Sequence, residues 1–105
     1  MDTKELIAEV KARQNHNSAK AYLKSKYQSK LIVADQGGLW KATPELIGFL
    51  SISDTTHVVI LDAYENPIRV DINQLQKKLR ETYNIVMEQW YVEYTDLEKN
   101  KWVKE

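Results

Sequence analysis

The sequence contains no cysteine, which removes disulfides, thiolate nucleophiles, iron–sulfur clusters and thiolate zinc sites, and fits a reducing compartment. Net charge is absent as well. Fifteen basic side chains cancel fifteen acidic ones, so no whole-molecule field draws the protein to nucleic acid or to an anionic membrane, and such binding must come from local charge. No apolar run approaches the ~20 residues of a membrane span. Met1-Asp2-Thr3-Lys4-Glu5 lacks the basic-then-apolar profile of a signal peptide, so a cytoplasmic location is expected.

Histidine is nearly absent too. His16 and His57 stand far apart in the chain and neither has carboxylates at metal-ligand spacing, so no metal and no cofactor is expected. Gly37-Gly38 lacks the further glycines and the Gly-Lys-Ser/Thr of a phosphate loop and reads as a turn with positive φ, which lets Leu39 and Trp40 fold back onto the core. No serine has the glycine-flanked setting of a nucleophile elbow. Asp62 and Asp71 bracket a turn as an acid–base or magnesium pair would, yet each already has a local task, one initiating the turn and the other capping a helix. The expectation is a protein without catalytic residues.

What is present is a chain of 105 residues with 43% hydrophobic content, enough for one modest core and a single domain over 1–105. Asp2 and Glu5 suggest a capping box before Leu6, Ile7 and Val10. The polar run Asn15-His16-Asn17-Ser18 then predicts an interruption, with a second N-terminal helix carrying Ala19, Tyr22, Leu23 and Tyr27. Lys30–Ala34 reads as a strand closed by a tight turn. Thr43-Pro44-Glu45 opens a short, almost wholly buried helix through Leu50. Val58–Leu61 reads as a central strand buried on both faces and Ile68–Val70 as its hairpin partner across Asp62–Pro67.

From Asp71 onward there is no glycine or proline. Ile72, Leu75, Leu79, Tyr83, Val86, Trp90, Tyr94 and Leu97 recur at steps of three and four, predicting one long amphipathic helix over 72–98. The expected fold is therefore α+β: a small three-stranded, mainly antiparallel sheet, two N-terminal helices, one short middle helix and the long C-terminal helix.

About 27 residues at ~1.5 Å each make that helix roughly 40 Å long, against a globule roughly 33 Å across. Its C-terminal half is expected to project. Val86, Met87, Trp90, Tyr91, Tyr94 and Trp102 are the candidate protein-binding residues, because tryptophan and tyrosine dominate interface hot spots. Either the N-terminal helices fold back over them or a partner does; a homo-oligomer or assembly partner is the favoured reading. The alternative is nucleic-acid binding. Between Val10 and Ala34 stand Lys11, Arg13, Lys20, Lys24, Lys26 and Lys30 with no acid, and Tyr22 and Tyr27 are interleaved with them.

Ser29–Ile47, with Val59-Ile60-Leu61-Asp62 and Asn66-Pro67, resembles small uncharacterised proteins of large contractile-tailed bacteriophages, particularly marine ones. The resemblance implies a virion-associated or assembly role with a phage structural protein as partner, located in host cytoplasm or virion, and brings no catalytic residue with it.

Overall fold

A computed structural model of the chain describes residues 2–100. The first helix, α1, runs without a break over Thr3–Lys30. Asp2 caps it by accepting from the Glu5 backbone N–H at 2.9 Å, and Lys30 stands in the last turn where a cation suits the dipole. The expected interruption at Asn15–Ser18 does not occur, so one helix replaces two. Those residues are poor helix formers but contain neither glycine nor proline, and their cost is small beside tertiary packing.

Two antiparallel hairpins follow. Strands β1 (Ile32–Asp35) and β2 (Gly38–Lys41) pair from Ile32↔Lys41 to Asp35↔Gly38. Their two-residue turn places Gln36 at φ 51° and Gly37 at φ 83°, the positive values that match the twist of a tight hairpin. Gly38 is thus a strand residue, and β2 is an element that its turn-like glycines concealed. A Cβ at Gly38 would sit 2.7 Å from both Ile68 Cδ1 and Trp40 Cζ2, so glycine is what lets the second hairpin press against the Trp40 ring.

Helix α2 spans Pro44–Ile52, capped by Thr43, whose Oγ1 accepts from the Leu46 N–H at 3.2 Å. Only Leu50 is fully buried, and Phe49 is 45% exposed. The helix lies on the surface against its neighbours and is not the nearly enclosed one expected, because only one side of it is covered.

Strands β3 (His57–Leu61) and β4 (Pro67–Asp71) form the second hairpin, from His57↔Asp71 to Leu61↔Pro67. Val58 and Ile60 pack against the core, whereas Val59 and Leu61 are 49% and 61% exposed. The expected three-stranded sheet and doubly buried strand are therefore replaced by two separate two-stranded sheets. With a single partner strand and one covered face, alternate residues of β3 face outward.

The hairpins meet through a main-chain bond, Ala63 N–H to Leu39 O at 2.7 Å, and through Gln36. Its amide accepts from the Asp71 N–H at 2.7 Å and donates to the Asp71 carbonyl at 3.3 Å, as a neighbouring strand would.

Helix α3 covers Ile72–Asn100, as the apolar stripe predicts, and Asp71 caps it through the Gln74 N–H at 3.0 Å. Ile72, Leu75 and Leu79 close a core with Val33, Trp40, Ala42, Leu50 and Val70. A second cluster of Leu23, Tyr27 and Val86 holds α1 against α3, and Leu31 touches both clusters. The result is a β-hairpin head on a stalk of two antiparallel helices, 65 × 23 × 19 Å in extent.

Candidate interaction surface on the helical stalk

The stalk is built on steps of three and four. Ala12, His16, Ala19, Leu23 and Tyr27 turn one line of α1 away from solvent, and Val86, Trp90 and Leu97 answer on α3. The Tyr27 and Trp90 rings stack with centroids 6.0 Å apart and planes 11° from parallel. Lys26 Nζ donates to both Glu93 carboxylate oxygens, at 2.9 and 3.2 Å, and His16 Nε2 lies 3.3 Å from Glu98 Oε1.

These contacts redistribute the expected binding residues. Val86 is 6% exposed against Leu23 and Tyr27, and Trp90 is covered by Tyr27, so α1 folds back over this part of α3. Met87 and Tyr94 are half-buried and Tyr91 is 64% exposed; these three remain available to a partner. Trp102 lies outside the described residues.

The basic candidates divide in the same way. The bond to Glu93 raises the Lys26 pKa and lowers that of Glu93, and Lys26 Nζ also sits 5.2 Å from the Tyr27 ring centre. Burial, with the bond to Glu93 adding to it, raises the Tyr27 hydroxyl. Arg13 pairs with Glu9 one turn earlier at 2.9 Å. Lys11, Lys20 and Lys24 are exposed and form no ion pair among the described residues. His16, expected to be solvated in a linker, instead lies in the stalk seam with its side chain 17% exposed and its Nδ1 buried without a partner.

In the head, an open groove of about 590 Å³ runs between the two hairpin tips, edged by Asp35, Gly37, Asp62, Tyr64 and Asn66. Asp62 is committed to structure there. Its Oδ1 accepts from the Tyr64 and Asn66 N–H groups at 2.9 and 3.0 Å and its Oδ2 from Leu39 N–H at 3.3 Å. The Asn66 bond, followed by those of Leu39 and Tyr64, holds its pKa below the usual carboxylate range. Among the described residues no cluster of three or more His, Asp or Glu side chains is placed to hold a metal.

Neither family models, curated proteins nor solved structures match this chain. Its function must therefore be read from these surfaces. No helix among the described residues is long and apolar enough to cross a membrane.

The apolar residues that follow the Asp2 cap at helical spacing lie on an exposed part of the stalk. Leu6, Ile7 and Val10 are 53%, 50% and 45% exposed. Among the described residues the ion pair between α1 and α3 nearest this turn is His16–Glu98, two residues before the described end of α3. Read at 3.6 residues per turn, Leu6, Ile7 and Val10 also fall on the side of α1 away from the Ala12–His16–Leu23 line. That signal was available, since the same numbering places the two groups on different faces once α1 is taken as continuous.

Proposed function

We propose that the protein is a non-enzymatic assembly or adaptor protein that acts through protein–protein contacts of its helical stalk, first of all with copies of itself. The observation that carries this reading is the surface the chain leaves uncovered. Its accessible area is 7796 Å², against about 6,100 Å² for a compact protein of 12.3 kDa. Its radius of gyration is 19.7 Å, where a compact chain of this length has about 13 Å. The surplus of about 1,700 Å² exceeds the ~800 Å² that one partner gives to a standard interface.

Leu6, Ile7 and Val10 at the far end of the stalk are the contact we assign to self-association. Ile85 and Val92, 59% and 55% exposed and two turns apart on the outer side of α3, add apolar surface along the rod. The phage resemblance supplies a setting, the assembly of a virion, in which a rod-like adaptor would link larger structural proteins. Sedimentation across the micromolar range tests the reading. The expected mass exceeds 12.3 kDa and falls to the monomer in the double variant Leu6→Glu/Val10→Glu. A wild-type protein that stays monomeric throughout sinks the self-association form.

A further inference from the structure

The fold joins two groups of residues that lie some seventy positions apart in sequence, and their combination has its own chemistry. Lys26 and Glu93 meet on one flank of the stalk. At 3.6 residues per turn, Arg13, Lys20 and Lys24 leave α1 on the opposite flank of its Ala12–His16–Leu23 line. By the same count Met87, Tyr91 and Tyr94 leave α3 on the flank opposite Glu93. A twofold rotation carries one helix of an antiparallel pair onto the other, so flanks of the same hand share a face. The register fixed by Tyr27–Trp90 and His16–Glu98 then sets Lys24 level with Tyr91 and Lys20 level with Tyr94.

We propose that this face, a lysine row on α1 beside a tyrosine row on α3, binds single-stranded nucleic acid. The site is independent of the Leu6–Val10 contact proposed above. Lys20 and Lys24 are one turn apart, about 6 Å along the helix, and are exposed with no acidic partner among the described residues. They provide a track for a phosphate backbone, and Tyr91, 64% exposed, provides a ring face on which a base can stack.

The acids of α3 do not cancel this field. Glu81 and Glu88 leave the far side of α3, and Glu93 and Asp96 leave the other flank. Each is separated from the lysines by the width of the helix, about the Debye length at physiological salt. At the tip end of the track stand Glu98, 3.3 Å from His16, and Glu9, paired with Arg13, and both lie beyond the Lys20–Lys24 stretch. A net charge of zero therefore coexists with a basic face. The exposed Tyr91 ring beside the cations favours a strand with unstacked bases over an acidic polypeptide, which would use the charge and leave the ring bare.

The test is fluorescence anisotropy of a labelled oligothymidylate of about 15 nucleotides at ~50 mM salt and above, using the full chain. Binding is expected to weaken linearly in log–log form with salt. Lys20→Glu/Lys24→Glu should make the slope shallower by about 1.4, two phosphate contacts at ~0.7 each. Tyr91→Ala should weaken binding at least fivefold, in the range of one lost base stack, and Tyr91→Phe should restore it. Lys41→Glu on the head serves as the charge control and should change little. Circular dichroism reports whether each variant folds, and Tyr91, being exposed, keeps the test open if the lysine variant does not. The proposal is overturned if the strand does not bind at low salt. It is equally overturned if polyglutamate or duplex DNA of matched charge competes as well as the strand, or if Tyr91→Ala binds like wild type. Sedimentation of the same variants separates the two proposals, because the lysine and Tyr91 changes leave the Leu6–Val10 contact intact.

Discussion

Asp62 accepts from three backbone N–H groups, two within its own turn and one from Leu39 of the other hairpin, and so ties the two hairpin tips together. Its pKa is lowered in the fold, so the stability it contributes is present above the ordinary carboxylate pKa near ~3.9 and is lost as pH falls through the lower folded value. Thermal melts of wild type and Asp62→Asn should therefore differ most near neutral pH, with the variant less stable, and converge as the pH drops below about 4. Glu93 shifts the same way and adds to the acid loss, whereas Lys26, raised by Glu93, gives a contribution that fades only above its ordinary alkaline value. A variant gap that does not change with pH would show that Asp62 acts through its shape and not its charge. The roles of Asp62 and Asp71 were legible in the sequence because a turn or cap needs only a residue type and a neighbour a few positions away. Gln36 was not legible. Its partner, the Asp71 backbone, lies 35 positions on, and nothing local distinguishes that glutamine from any other.

At the scale of elements, α3 and the β3–β4 hairpin could be read from the sequence because the apolar stripe and the turn residues each state one answer. Two elements could not. Gly37-Gly38 signals a turn strongly enough to hide that Gly38 begins β2, where it is chosen for its contact with Ile68 and Trp40. Asn15–Ser18 signals a break, and local propensity there opposes the helix; what prevails is the packing of Leu23 and Tyr27 on α3, with His16 reaching Glu98. The same interplay explains why the candidate interface was only partly visible: covering of Val86 and Trp90 depends on α1 being one straight rod. If α1 is continuous, Asn15 and Asn17, both exposed within it, carry a propensity penalty that alanine removes. Asn15→Ala and Asn17→Ala should each stabilise by about 0.5 kcal/mol in urea unfolding, and amide exchange should show protection through that stretch. Loss of stability in both variants would mean that the asparagines act as caps at a break.

At the scale of the molecule, the basic face and the apolar tip lie at different places on a rod that ends in a small β head, so a ligand at one would not obstruct a partner at the other. The order in which such a chain assembles follows from the distances its contacts span. Lys26 and Glu93 are 67 positions apart, and closing so long a loop carries an entropic cost that no single stalk contact offsets. Both hairpins close over a few residues, and once the head has formed with the start of α3 packed on it, the end of α1 lies beside the middle of α3, where Tyr27 meets Val86 and Trp90. The head then acts as a nucleus from which the stalk zips toward its tip, one helical turn after another. Leu79→Ala in the head should mainly slow refolding, while Leu23→Ala in the stalk should mainly speed unfolding, in stopped-flow measurements across denaturant. Equal effects on both limbs would mean that head and stalk form together. A rod zipped from one end also frays from the other, so the tip carrying Leu6, Ile7 and Val10 is the part of the molecule that opens first, and a second chain bound there would act as the clasp.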